Sequence, residues 1–410
     1  MQDGVPGKWR VLAILFFAGA INYADRTAIT SVFPLLRQDL ALTDVGLAAI
    51  GSLFLWSYAF TSPFAGILAD RVSRSRLIAI SLALWSLVTA ATGLVSNPEQ
   101  LFALRLLLGI SECLYLPAAL GLVADYHGPL TRATALSVHA SGLSFGMIAG
   151  GTVAGFLGDR LGWRPCFFIL GGAGVALALA ATLLVRDPAN SPRASGGGEP
   201  LRETLTALLH APAYGIILTE AALIAVSNWV FANWLPLFFR ETYGLSLATA
   251  GFSGTFAVTA GVVTGGLTGG YFSDRIARGN PRKRLLLQGL FYAAAAPFLL
   301  VFLGKPAVAI LGASIFMHGL VRALGSSNEL PILCDLLPSH RRSTAIGFMN
   351  SLNTFIGGSG VFLSGYLKSH FGLGQVFLGL AGVVLLASIA CLAGYHLLKS
   401  SLTRAQNAAS

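Results

Sequence analysis

The sequence predicts an all-α polytopic membrane protein, with twelve transmembrane helices in two pseudo-symmetric six-helix bundles. Three observations lead there. Of 410 residues, 55% are hydrophobic and only 11% are charged, against about a quarter charged in soluble domains. Apolar windows long enough to cross about 30 Å of hydrocarbon recur along the whole chain. The second half also repeats motifs of the first. A mean hydropathy of +0.72 leaves too little polar surface to cover two or three soluble domains. Soluble enzymes, nucleic-acid binders and disordered chains are poor fits.

Twelve windows can be marked, at 11–33, 45–69, 77–95, 100–124, 131–157, 165–185, 211–235, 247–272, 285–303, 306–334, 343–366 and 373–398. They are numbered here as spans 1 to 12. The first follows ten mostly polar residues and is succeeded by more spans, so it reads as a span and not as a cleaved signal. The segment 186–210 (RDPANSPRASGGGEPLRETLTALLH) is rich in Pro, Gly, Ser and charge. It is expected to link an N-terminal bundle, 1–185, to a C-terminal bundle, 211–410, with a short amphipathic helix near 200–209.

Charge placement orients the chain. Of 27 Lys and Arg, 18 fall on the side shared by both termini, six fall opposite and three lie within spans. Positive residues concentrate on the cytoplasmic side, so both termini and the linker are expected there, in a multi-pass protein of the cell (inner) membrane. The same bias accounts for the net charge of +10 without a nucleic-acid partner. Cys113, Cys166, Cys334 and Cys391 lie far apart in apolar stretches and read as packed thiols, neither disulfides nor metal ligands. No P-loop, Cys/His cluster or nucleophile elbow is present, so ATP hydrolysis and catalysis lack a site.

The internal repeat is detailed. After span 2 the chain reads GILADRVSRSR, and after span 8 it reads GYFSDRIARGNPRKR. Gly66, Asp70, Arg71 and Arg74 are thus matched by Gly270, Asp274, Arg275 and Arg278. Span 5 opens on TRATALS and span 11 on RRSTAIG. Arg105 and Glu112 of span 4 are seven apart, as are Arg322 and Glu329 of span 10, and Pro34 and Pro236 lie near the ends of spans 1 and 7. Matched elements at corresponding spans indicate two six-helix repeats.

Charges within spans cost several kcal/mol and call for a reason. Asp25 and Arg26 are adjacent and so point about 100° apart on one helix. Asp25 and Glu112 admit two roles, a buried ion pair that positions spans 1 and 4, or a carrier that takes up a proton in low dielectric. Arg105 and Arg26 divide the same way. An arginine in a water-filled cavity can grip a carboxylate with two parallel hydrogen bonds, or it can serve a neighbouring acid structurally. Arg322 and Glu329 form a second such pair, with Glu220 on span 7 and Asp335 on span 10 as further acids. His139 and His318 could relay protons or simply pack. Asn22, Tyr23, Tyr115, Ser141, Ser144, Asn228, Trp229, Asn233, Trp234, Asn350 and Asn353 are polar or aromatic cavity candidates, and Trp234 equally suits an interfacial belt. Gly142, Gly146 and Gly150 in span 5, and Gly261, Gly265 and Gly269 in span 8, form stripes for close helix packing or for a sliding face.

The Gly-x-x-x-Asp-Arg-x-x-Arg loop in both halves, with twelve spans, resembles the major facilitator superfamily over essentially the whole chain. Within it NYADR in span 1, RLLLGISECLYLP in span 4 and NWLPLFF closing span 7 resemble the anion:cation symporter family, which includes sugar-acid transporters and the sialin and vesicular glutamate carriers. Spinster-type lipid transporters share the NYxDR and R-x-x-x-G-x-x-E patterns and are the second choice. The resemblance implies a proton-coupled symporter of a small organic anion, such as a sugar acid or carboxylate, working by alternating access. The alternative is a lipid, lysolipid or drug transporter. By resemblance Asp25 and Glu112 are protonation sites and Arg105 helps bind the anion, with Arg26, Tyr23, Asn22, Tyr115 and Asn350 as further substrate candidates. It also implies that Asp70, Arg71, Arg74, Asp274, Arg275 and Arg278 form cytoplasmic gating loops. The expected partners are the anionic small molecule and membrane lipid. The chain is expected to be monomeric and to need no cofactor, with protons as the coupling ion.

Overall fold

Several helix starts are written into the sequence as caps. The side chains of Thr43, Ser73 and Asn97 accept hydrogen bonds from the amides of Gly46, Arg76 and Gln100, and Asn280 accepts from those of Arg282 and Lys283. Each satisfies donors that a helix leaves open at its first turn. Asn97 and Asn280 each precede a proline whose fixed φ suits the first helical position.

The computed structural model describes residues 6–128, 130–188, 212–277, 280–337 and 339–409, with 203, 206, 208 and 210 besides; the side chains at 70, 212, 213, 339, 340, 343 and from 398 onward lie outside this description. The spans run Lys8–Ser31, Asp44–Arg71, Arg74–Thr92, Pro98–Tyr126, Arg132–Leu161, Trp163–Leu184, Pro212–Tyr243, Leu247–Ala277, Pro281–Leu303 and Val308–Leu336. A last helical stretch, Ser339–Ala409, is two spans joined at Gly372, with φ 80° and ψ 163°. Gly162 (φ 82°) makes the same left-handed turn between spans 5 and 6, a conformation that a side chain would strain. Each of the twelve expected windows therefore coincides with a helical span, and no strand occurs among the described residues. The helix expected near 200–209, and most of the linker, lie outside the described residues.

Two spans are broken in a way that window counting does not show. Span 4 has one helix ending at Glu112 and another beginning at Tyr115; span 10 breaks between Ser326 and Glu329. Pro117 and Pro331 explain both. A proline has no N–H to give the carbonyl four residues back, and those carbonyls belong to Cys113 and Ser327, within the two turns. Each break borders one of the paired glutamates.

By packing, the chain divides into two compact units. The first comprises Met1–Gly196, Ala232–Thr255 and Val361–Tyr366; the second comprises Gly197–Phe231, Phe256–Gly360 and Leu367–Ser410. In the first unit span 5 lies against span 1 along its glycine stripe. A Cβ at Gly146 would overlap the Ala20 carbonyl, and one at Gly150 would overlap the backbone of Ala24. Gly155 and Gly251 bring the start of span 8 onto span 5 in the same way. There the Asp159 carboxylate accepts from the amides of Leu247 (3.1 Å) and Ala248 (3.0 Å), capping span 8 with a charge that its helix dipole favours. Trp234 is fully buried and donates to Ser364 Oγ at 2.7 Å. It is a packed indole, not an interfacial belt residue.

In the second unit, Gly261 and Gly265 admit the carbonyls of Phe316 and Leu320, and Gly269 admits Leu324. The rings of Phe231, Phe302 and Phe377 gather with centroids 4.9 and 5.0 Å apart. Each glycine stripe thus packs closely against a neighbouring helix of its own unit. The four cysteines are free. Among the described residues no three His, Cys, Asp or Glu side chains converge as metal ligands do.

The stripe yields a stability prediction. Gly146→Ala should lower thermal unfolding in detergent by about 1–3 kcal/mol, the usual cost of overpacking, whereas Gly172→Ala, which meets nothing within 4 Å, should melt like the parent. Asp159→Ala should cost about 1 kcal/mol in the same measurement, as the loss of a cap does.

Candidate functional site

The charged residues singled out in spans 1 and 4 lie inside the first unit and not on its outer face. Asp25 and Arg105 are each 2% exposed, Glu112 1% and Asn22 2%. Gly109 makes the arrangement possible, because a Cβ there would overlap Ser57 and the Phe54 carbonyl. Span 4 therefore rides against span 2, one turn before Glu112.

The pairing follows from the divergence of neighbours on span 1. Arg26 reaches span 4, with Nε and Nη2 each 3.0 Å from Glu112 Oε2. Its Nη2 also donates to Asn22 Oδ1 at 3.1 Å. The guanidinium sits among three rings, with Cζ 4.5 Å from the centroid of Tyr23 and 5.0 Å from those of Phe54 and Tyr58, a cage that favours a cation through the ring quadrupoles. Asp25 points instead to span 3, where Thr89 donates to its Oδ2 at 3.0 Å. One turn on, Thr92 gives its own proton to the Val88 carbonyl and accepts from Arg105 Nη2 at 3.2 Å. Asp25 lies in the combined field of Glu112, Arg105 and Arg26. Two acids and two guanidiniums, matched in number, thus share one buried site.

The two arginines differ in access. The Arg26 side chain keeps 11% of its surface open while Glu112 keeps none. Asp25 Oδ1 and Arg105 Nε are buried polar atoms without partners, so the site holds unused bonding capacity.

Other candidates are placed as follows. Tyr115 is 1% exposed; its hydroxyl donates to the Leu15 carbonyl at 2.7 Å and accepts from His139 Nε2 at 3.0 Å. Its ring meets Trp85 edge-on, so Tyr115 and His139 form a packed network with Leu15 and Trp85. Ser141 is exposed and Ser144 half-buried, and both bond back to their own helix. Asn233 is buried with a free amide nitrogen. In the second unit Asn228 and Asn350 are exposed, and Asn353 and Trp229 are half-buried. His318 donates through Nδ1 to the Ala295 carbonyl at 2.9 Å, and Arg322 is 4% exposed.

Of the loop residues, the Asp70 side chain and Arg278 lie outside the described residues. Arg71 and Arg275 are exposed, the latter over the Tyr271 ring at 4.4 Å. Arg74 pairs with Asp125 at the end of span 4 (2.5 Å). Asp274 pairs with Arg284 on span 9 (2.7 Å), and Arg284 Nε lies 3.5 Å from Asp335. In each unit a basic residue opening the third span of the repeat therefore fastens the acid closing the fourth.

Residue-type reasoning missed Thr89, Thr92, Phe54 and Tyr58. Their only sequence signal is spacing, three apart on span 3 and four apart on span 2, which puts each pair on one helix face.

Comparison with known proteins agrees with this architecture. A solved crystal structure of a bacterial homologue of the human lysosomal transporter spinster, inward-facing and unoccupied, superposes with a TM-score of 0.79 at 21% identity, covering 96% of this chain and 97% of that one. An MFS-type efflux pump of Mycolicibacterium smegmatis is 28% identical over 95% of this chain and 91% of its own length. A probable galactarate/D-glucarate transporter of Bacillus subtilis is 28% identical over 65% of each. The family model described as Major Facilitator Superfamily matches residues 15–317 and 254–409. With its twelve spans in two repeats and a charge-balanced site inside the first, this chain belongs to the major facilitator superfamily, whose members are transporters and not enzymes.

Proposed function

We propose that this chain is a proton-coupled symporter that carries a small organic anion, such as a sugar acid or another carboxylate, by alternating access. It resides as a monomer in the cell (inner) membrane with both termini in the cytoplasm, and its only accessory is the coupling proton. The observation that carries this reading is the 3.0 Å pair between an enclosed Glu112 and an Arg26 that remains partly open within its aromatic cage.

The reasoning is electrostatic. The four charges of the site cancel, so a substrate carboxylate adds an uncompensated negative charge in a medium of low dielectric. A proton on Glu112 restores the balance. It also ends the claim of Glu112 on Arg26 Nε and Nη2, and the freed fork can take the substrate carboxylate with two parallel hydrogen bonds. Asp25 offers a second protonation position, which suits a substrate with two carboxylates. Arg105, held by Thr92, is the fixed counter-charge for Asp25. The exposed Arg71 and Arg275, with Asp70 and Asp274, remain the gating candidates at the loop ends. A relative named as a sugar-acid transporter supports the substrate class; one named as an efflux pump supports the alternative, a lipid or drug carrier.

Purified protein in proteoliposomes distinguishes the two. An acid-outside gradient should drive accumulation of labelled galactarate or glucuronate; accumulation of lysolipid or a cationic dye instead would overturn the anion reading. Glu112→Gln should abolish gradient-driven accumulation while leaving exchange of anion across the membrane intact, and undiminished accumulation refutes its coupling role. Arg26→Lys keeps the charge but loses the fork, and should raise KM about tenfold, near 1.4 kcal/mol. An unchanged KM would move the anion to Arg105.

A further inference from the structure

The second unit encloses an acid that the scheme above does not use. Glu220 on span 7 is 0% exposed. Both of its oxygens are held by neutral donors. Gln288 Nε2 donates to Oε1 at 2.8 Å, and the Tyr292 hydroxyl donates to Oε2 at 3.2 Å, both from span 9. Gln288 uses its second amide proton on the Tyr292 oxygen at 3.1 Å. The cluster is close-fitted: Gln288 and Tyr292 are 0% exposed, and a Cβ at Gly325 would press on the Tyr292 ring at 2.9 Å.

Among the described residues no lysine, arginine or histidine lies within ion-pair distance of Glu220. The charged and titratable groups acting on it are Glu329 of span 10, Tyr292 of span 9 and Cys391 of span 12, with Arg322 of span 10 acting on Tyr292 and Glu329. The charged side chain that acts on it is therefore another acid. A buried carboxylate with no counter-ion in reach is costly to keep ionised, and a protonated one needs an acceptor for its O–H. That acceptor is present. Gln288 Oε1 is buried and has no partner, and rotating the amide by half a turn presents it to the Glu220 oxygen. In one orientation the amide donates to a carboxylate, and in the other it accepts from a carboxylic acid. The Tyr292 hydroxyl in turn lies 3.2 Å from that of the half-buried Ser326.

We infer that Glu220 is a proton-binding site of the second unit, loaded and unloaded through the Gln288 amide and the Tyr292–Ser326 hydroxyl pair, and separate from Asp25 and Glu112. The inference stands apart from the coupling role given to the first unit and needs no substrate to be tested.

Infrared spectroscopy of the full chain in lipid nanodiscs, titrated with pH, reads it directly. The parent should show a protonated-carboxyl band that disappears as pH rises. Asp25→Asn/Glu112→Gln should retain the Glu220 component, and Glu220→Gln should lose it. Tyr292→Phe, which removes one hydrogen bond and leaves the acid in place, should move the band to higher frequency, so the assignment survives even if Glu220→Gln does not fold. Spectra of parent and Glu220→Gln that superimpose at every pH, or a Glu220 band that never titrates, would overturn the proposal. Either result would leave the uptake experiments on Glu112 and Arg26 unaffected.

Discussion

The first unit is organised by one constraint: in hydrocarbon, charge must be cancelled at close range. Arg26 and Glu112 satisfy it by contact between spans 1 and 4. Asp25 and Arg105 satisfy it less directly, through each other's field, and each is hydrogen-bonded to a threonine of span 3. Much of the surrounding geometry serves these four side chains. Gly109 draws span 4 onto span 2, the stripe on span 5 presses against span 1, and the rings of Phe54 and Tyr58 close over the guanidinium. Adding or removing one charge therefore disturbs several spans at once, which is the kind of coupling a carrier requires.

The two units answer that constraint differently. Spans 4 and 10 share the seven-residue Arg–Glu spacing and both break beside the glutamate. Yet Glu112 has a guanidinium at 3.0 Å, while Glu220 on span 7 has only an amide and a phenol. The duplicated scaffold is preserved at its prolines, its glycine turns at Gly162 and Gly372, and its basic–acidic fastenings Arg74–Asp125 and Arg284–Asp335. The chemistry inside has diverged.

Sequence alone reached the span count, the repeat and the identity of the buried acids and arginines, because hydropathy and the cost of intramembrane charge are local properties. It could not assign partners. Adjacency on a helix shows that Asp25 and Arg26 diverge, not which of them meets Glu112. Nor could it separate Arg105, buried on Thr92, from Arg26, the more open of the two. Thr89, Thr92, Phe54 and Tyr58 escaped because hydroxyls and rings are unremarkable in apolar helices; only packing makes them a site. The breaks in spans 4 and 10 were legible in principle from Pro117 and Pro331, whose effect falls four residues upstream of where the eye rests.

The threonine tethers of span 3 have a kinetic meaning. Releasing a neutral hydroxyl from a charged partner forfeits only about 1.5–3 kcal/mol, whereas separating a buried ion pair outright costs more. Thermal agitation can therefore let Asp25 and Arg105 slip their holds many times for each rupture of the neighbouring Arg26–Glu112 contact. The residues of this cluster thus set two weaker holds, Thr89–Asp25 and Thr92–Arg105, beside one stronger contact, Arg26–Glu112.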